Sequence, residues 1–335
     1  MKKILFYALA IVSGAAVSAR AQIGGLVNQV DNSRTRAGLN QSAEAMATNA
    51  VPDLYDGESS DVGPQSVVQA RQRRTLFAAQ ADEQFFYTDN VLQVEKRTQS
   101  TGVLLSTAQF ALTPGPFALG NGTLSTEVGY RAQWFDFGLD GTRAKSLPFR
   151  LRDLDFSAQS VFAEALWSHG NWSFGGGLDA TRLMSINNYH PFYDELVPNW
   201  TARFSLPIND QIAVAASYEG DYRATSIRRQ FSEFATSDAS DRTDHSALLT
   251  YTEVFCKRFV FQPYYRMQYT HYTAYPLGPR NDYLNSLGAG LYWIVCPHFS
   301  IRTFINYDLL VSGNRNVQEY RKLDAGGGVN LTVRF

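Results

Sequence analysis

The chain has 335 residues, with 44% hydrophobic and 18% charged side chains and a formal net charge of -1. This balance provides no basic stripe of the kind that nucleic acids require, so we expect no nucleic-acid partner. Beyond the N-terminus no apolar run reaches the roughly 18 residues of a spanning helix, so a mature form that crosses a membrane must do so with strands. The 18 Tyr and 22 Phe are typical of strands and of aromatic girdles.

Residues 1–21 have the three-part layout of a secretory signal peptide. Lys2 and Lys3 form the positive region, residues 4–17 the apolar segment, and residues 19–21 a small-x-small cleavage site. The alternative is a buried N-terminal helix. The layout predicts export, with a mature form that starts at Gln22.

Residues 22–72 differ in composition from the rest of the chain. They are rich in Gln, Asn, Ser, Ala, Asp and Gly, with a possible short helix near Asn32 and a Pro- and Gly-containing linker at 51–66. The composition favours a loosely ordered periplasmic extension. The alternative is a segment that docks to a periplasmic partner or enters a barrel lumen as a partial plug.

From about Arg73 to Phe335 apolar and polar residues alternate with a period of two, which places them on opposite faces of strands. In the clearest strand, Val128, Tyr130 and Trp134 share one face. Twelve such segments can be counted, an even number, as bacterial barrels have. They are 74–87, 102–113, 124–135, 155–167, 172–183, 195–207, 211–223, 245–256, 260–272, 283–295, 299–311 and 323–335.

The connections between these segments alternate in length. Short ones lie at 169–171, 209–210, 256–258 and 296–298, and long ones at 138–153, 185–194, 224–244, 274–282 and 312–321. Sorting of this kind predicts an all-β, transmembrane, antiparallel up-and-down barrel, with short periplasmic turns, long outer loops and both termini on the periplasmic side. The alternative is a secreted all-β protein.

If the apolar face meets lipid, the polar face lines the lumen. Charges of both signs fall on that face: Glu127, Arg131, Glu164, Asp179, Arg203, Glu219, Asp221, Arg223, Arg266, Arg302 and Asp308. They form either a network of ion pairs that stabilises the barrel wall or the lining of a narrow hydrated pore. Twelve strands lie between the eight that side chains fill and the sixteen or so that leave a channel.

Other reactive side chains give weaker signals. An oxidising envelope permits a disulfide between Cys256 and Cys296, but their next-but-one strands lie about 9–10 Å apart, so separate thiols are the alternative. The five His are scattered, so we expect no metal site and no cofactor. His271, with Asp282 across the next loop, lacks a nucleophile, so we expect no enzymatic activity.

The last strand carries apolar residues at every second position through Val329, Leu331, Val333 and Phe335. It resembles the C-terminal strand of bacterial outer-membrane β-barrels. The resemblance implies an outer-membrane location, lipid contact and recognition of these four residues by the barrel-assembly machinery. Residues 85–91 resemble the first strand of uncharacterised Gram-negative barrels, some linked to exopolysaccharide or surface-protein export.

Together these observations predict a narrow porin-like channel for small polar solutes. The alternative is a non-conducting structural or assembly barrel that anchors envelope, exopolysaccharide or surface-protein export machinery.

Overall fold

The computed structural model describes residues 25–47, 76–95, 98–139, 151–227, 238–317 and 319–335. The predicted signal peptide and the predicted linker lie outside these residues. Within them, no helix has both the length and the apolar character that crossing a membrane requires.

Twelve long antiparallel strands form a closed barrel, because β1 pairs with β13 and β2 pairs with β4. The three-residue β3 pairs with the start of β4. Each of the twelve predicted segments coincides with one long strand, so the predicted fold class is confirmed. The strands are β1 (Phe77–Thr88), β2 (Thr101–Leu112), β3 (Phe117–Leu119), β4 (Gly122–Phe137), β5 (Phe156–His169), β6 (Trp172–Ser185), β7 (Pro191–Pro207), β8 (Ile212–Ile227), β9 (Arg242–Phe255), β10 (Phe259–Tyr272), β11 (Arg280–Cys296), β12 (Phe299–Ser312) and β13 (Tyr320–Arg334).

The predicted sorting of the connections is also confirmed. One end of the barrel, called here the short-turn end, carries connections such as 170–171 and 297–298. The other, the long-loop end, carries connections such as 138–155 and 228–241. The first and last strands meet edge to edge, and the Phe77 and Phe335 rings stack there with centroids 5.9 Å apart.

Strand alternation places apolar side chains on the outer wall. Phe110, Val161 and Leu287 are 61%, 56% and 62% exposed, whereas inward neighbours such as Thr181 and Ser286 are buried. A closed barrel leaves no strand edge unpaired, so its backbone polar groups are satisfied within the wall.

A helix at residues 25–47, called α1, lies inside the barrel. Leu26 and Val30 pack into a cluster at the long-loop end, and Ala43 packs on Val254 and Val260 at the short-turn end. Burial extends around the helix, and Asn40 and Ala43 are both 0% exposed.

This placement corrects the expectation of a loosely ordered periplasmic extension for residues 25–47. The segment takes the lumenal position that was the alternative, because the wall supplies partners for its polar side chains. The helix α1 begins at the long-loop end, and the predicted periplasmic position of the N-terminus concerns residues outside the described ranges.

The inner wall is not polar throughout. At the long-loop end Phe135, Phe137 and Phe156 form stacked pairs and join the cluster that holds Leu26 and Val30. The alternation of apolar and polar residues does not fix the strand phase around Phe156, and the structure turns this ring inward, where it is 1% exposed. We call this aromatic and aliphatic group the outer apolar cluster.

Gly288 on β11 makes room for a ring on the neighbouring strand. A Cβ atom there would lie 2.5 Å from the ring of Tyr264, whose hydroxyl donates to Asn306 Oδ1 at 3.0 Å. We expect Gly288→Val to destabilise the barrel by about 1–3 kcal/mol through overpacking. Urea unfolding of the refolded protein measures this, with Ala289→Val on the outer wall as the control; equal midpoints for both variants would contradict it.

Candidate functional site

A cavity of about 640 Å³ lies between α1 and the wall of the barrel. Wall residues from β2 and from β4 to β10 surround it, so the empty half of the lumen lies opposite the half that α1 fills. Nine of the eleven predicted lumen residues line this cavity: Glu127, Arg131, Glu164, Asp179, Arg203, Glu219, Asp221, Arg223 and Arg266.

The helix contributes the remaining side of the cavity. Asp31, Arg34, Thr35 and Ser42 face into it, and so does Gly38. A glycine in mid-helix costs about 1 kcal/mol relative to alanine, and a Cβ at Gly38 would meet nothing within 4 Å. The glycine therefore leaves the passage beside the helix wide.

A group of buried charges joins α1 to β8 and β9. Arg223 Nη1 donates to Asp31 Oδ1 at 2.9 Å, and Arg242 Nη2 lies 3.6 Å from Asp31 Oδ2. Both arginines also contact Asp244 Oδ2 at 2.9 Å, and Arg223 Nε lies 3.3 Å from Asp221. These five residues are called the upper ion cluster. Removing one partner from a buried set of charges is strongly destabilising, so the cluster fixes the helix against the wall.

Arg34 makes a second connection, to β5, β6 and β7. Its Nη2 donates to Thr181 Oγ1 at 2.6 Å and lies 3.4 Å from Asp179 Oδ1. Its Nη1 lies 3.7 Å from Glu195 Oε1. The helix therefore reaches two separate parts of the wall at nearly the same level.

The other two predicted lumen residues, Arg302 and Asp308, lie on the side of the lumen that α1 fills. Arg302 Nη2 donates to Asp82 Oδ1 at 2.7 Å. Asp308 accepts from Asn32 of the helix at 3.0 Å, and Lys322 Nζ lies 3.3 Å from it.

Arg36 of the helix completes this side. Its guanidinium lies 4.9 Å from the ring centroids of both Phe86 and Phe304. Its Nη1 lies 4.0 Å from Asp324 Oδ2, which Lys322 contacts at 2.9 Å. A cation between two aromatic faces is a favourable contact when it is desolvated.

Sequence reasoning missed several of these charges. Asp82, Asp244, Lys322 and Asp324 alternate in phase with the inward residues of their strands, so the period of two could have found them. The helical partners could not be found this way, since residues 22–72 show no such period.

The long-loop end of the lumen is closed. Leu151 and Leu154 of a short 3₁₀ helix (Leu151–Leu154) lie in the outer apolar cluster. Asp155 follows, accepts from the backbone N–H of Phe137 at 2.8 Å, and burial raises the pKa of its carboxyl to about 6.

The short-turn half of the cavity is accessible to solvent. Glu164, Arg203 and Glu219 point into the lumen and are exposed, whereas Asp221 and Arg223, further along β8, are buried. We call the part lined by Glu164, Arg203 and Glu219 the vestibule. The lumen thus opens toward the short turns and is sealed toward the long loops.

The other reactive residues do not assemble into a site. His271 Nδ1 lies 2.7 Å from Asn281 Oδ1 on the exposed side, whereas Asp282 is buried and accepts from Arg280. Cys256 and Cys296 are free, exposed thiols. Within the described ranges no three His, Cys, Asp or Glu side chains are grouped to hold a metal ion.

The outer surface indicates what surrounds this barrel. Aromatic residues ring its short-turn end, including Trp172, whose ring contacts those of Phe174 and Phe204. Apolar residues cover the wall between the ends, although Glu83 lies on it and accepts from Ser106 at 3.0 Å. A closed barrel with an apolar wall, an aromatic girdle and an ionic interior suits hydrocarbon outside and polar groups inside. The chain therefore forms a β-barrel of the transmembrane type, the fold class that the sequence predicted.

Neither a protein-family model nor a curated protein matches the chain. Among solved structures it is similar to an outer-membrane channel from Pseudomonas putida F1, with 9% identity and a TM-score of 0.49 over 82% of this chain and 100% of that one. The β domain of a Bordetella autotransporter gives 12% identity and a TM-score of 0.44 over 76% and 99%. The translocator domain of an autotransporter from Neisseria meningitidis gives 12% and 0.37 over 90% and 97%.

Proposed function

We propose that this protein is a narrow, gated channel for small polar solutes, with α1 as its plug. The observation that carries the proposal is the cavity of about 640 Å³ beside the helix. Polar and charged side chains line it, and it runs from the vestibule up to the upper ion cluster. A solute that enters at the short-turn end meets a hydrated path that stops only where the helix and the outer apolar cluster close it.

The way α1 is held supports gating. Between its two apolar ends the helix contacts the wall through ion pairs and hydrogen bonds, such as Arg223 to Asp31 and Asn32 to Asp308. Water can replace the hydrogen-bond partners when the helix shifts, so the net contribution of each hydrogen bond is modest, whereas the upper ion cluster holds the helix in the plugged position. A helix packed against the wall through apolar contacts along its whole length would have no contacts that water could replace in this way.

The second candidate is a non-conducting barrel that anchors envelope or export machinery. The tight closure at the long-loop end favours it, since Phe135 and Leu151 are at most 2% exposed. In that case the passage never opens, and a partner would bind the loops or the part of residues 22–72 that follows α1.

Current across a planar bilayer separates the two candidates. A channel gives discrete steps in salt solution when purified protein is added, at rest or at raised voltage. Complete absence of steps, with protein shown to be inserted and folded, would contradict the channel and favour the structural barrel.

Contacts with other molecules form part of the same proposal. Val329, Leu331, Val333 and Phe335 lie on the outer wall, with exposed fractions of 40%, 47%, 43% and 65%. Lipid therefore surrounds them in the assembled protein. The assembly machinery would read the same side chains before the strand pairs with β1.

A further inference from the structure

The charges that line the cavity fall into two groups. Near the long-loop end, Asp31, Asp221 and Asp244 each form an ion pair with Arg223, and Arg34 pairs with Asp179. The rest have no ion pair within 4.0 Å among the residues that the structure describes. They are the three cations and three anions Arg131, Arg203, Arg266, Glu127, Glu164 and Glu219. These six charges are balanced in number, but they are not paired with one another.

Arg203 is the most available cation of this group. Arg131 Nε donates to Gln109, and Arg266 donates to Ser246, Thr35 and Gln268. By contrast, Arg203 has no hydrogen-bond or ion-pair partner within the described ranges.

Hydroxyl side chains surround Arg203. Ser173 on β6 and Ser217 on β8 lie directly opposite it in the sheet register, and Thr201 and Ser205 flank it on the same face. All four line the cavity. A guanidinium with hydroxyl neighbours is well suited to a carboxylate, because Arg offers a planar fork and the hydroxyls offer further donors.

An acidic partner lies one step further into the lumen. Glu219 is opposite Thr201, which makes it a diagonal neighbour of Arg203. Diagonal positions on paired strands lie about 7–8 Å apart, and the two side chains do not close into an ion pair. Glu164 lies opposite Gly177 on β6, where the Asn199 side chain occupies the space that a Cβ would take, and opposite Glu127 on β4. A molecule that carries both charges can bridge this gap.

We propose that the vestibule binds a small zwitterionic solute, a free amino acid or a short peptide. Its carboxylate lies at Arg203 and its ammonium group at Glu219, the diagonal neighbour of Arg203. When the solute is a short peptide, the side chains of Asn199 and Thr201, which also line the cavity, meet its peptide group. The proposal rests on the channel function above and names the class of solute. A purely anionic or cationic solute would meet a like charge at one end of the same site.

Titration calorimetry on the full-length protein in detergent tests this directly, with diglycine as the probe. Uncharged N-acetylglycinamide should bind at least about tenfold more weakly, and Arg203→Gln should weaken diglycine binding by a similar factor, because hydrogen bonds between charged groups are the strong ones. Glu219→Gln should act in the same direction. Arg182→Gln is the matched control, since Arg182 pairs with Asp194 on the outer wall.

Three results would overturn the site. They are equal binding of diglycine and its uncharged analogue, unchanged affinity in Arg203→Gln with the barrel folded by circular dichroism, and acetate competing as well as diglycine while Glu219→Gln has no effect. Binding at equilibrium does not depend on current. Discrete current steps without diglycine binding would therefore contradict only the proposed zwitterionic solute. Diglycine binding without current steps would contradict only the proposed channel function.

Discussion

Deletion of residues 25–47 is expected to raise the single-channel conductance at least fivefold. The helix has 23 residues, spans about 35 Å and with its side chains is about 10–12 Å wide. It fills one half of the lumen and narrows the other to the cavity beside it. Removing it leaves a twelve-stranded barrel whose inner wall is polar over most of its depth. Planar-bilayer recording measures the change.

The deletion removes many contacts, so the state of the barrel must be followed too. Folded barrels resist detergent unfolding without heat, so gel mobility before and after boiling reports whether the deleted form is intact. Gly38→Leu is the complementary variant. It adds a side chain to the same helix on the side that faces the cavity, so it should lower the conductance. An intact deletion variant with wild-type conductance would show that α1 does not limit the passage.

Asp31→Asn is expected to raise the fraction of time that the channel is open by at least tenfold. Asp31 is the helical member of the upper ion cluster and contacts Arg223 and Arg242 from one carboxylate. Removing one partner from a buried pair costs about 3–5 kcal/mol, and a tenfold change needs about 1.4 kcal/mol. The cost falls on the plugged state alone, because only there does the helix meet these arginines.

The control is Asp194→Asn. Asp194 also pairs with an arginine, Arg182 at 2.6 Å, but on the outer wall, where the two side chains are 34% and 55% exposed. Such pairs contribute about 0–1 kcal/mol, so its gating should match that of the wild type. If Asp31→Asn also gates as the wild type does, the upper ion cluster does not hold the plug.

The sequence by itself determined the barrel. Residues such as Val128, Tyr130 and Trp134 alternate with inward polar ones. A strand with lipid on one face and a polar lumen on the other requires that alternation. The same alternation, with the sorted connections, indicated the number of strands, the two ends and the nine charges that line the cavity. These are local properties, readable within one strand or one turn.

Only the tertiary structure decided what fills the lumen. The polar residues of α1 suit a segment in water and a helix inside a polar lumen equally well, because both environments supply hydrogen-bond partners. The composition of this segment therefore does not show which environment it occupies. The contact that distinguishes the two, Arg223 to Asp31, joins residues 192 positions apart. Likewise, the inward turn of Phe156 depends on Phe135 of the adjacent strand and on Leu26 of the helix. Burial of these rings is a property of the assembled interior, which no single segment contains.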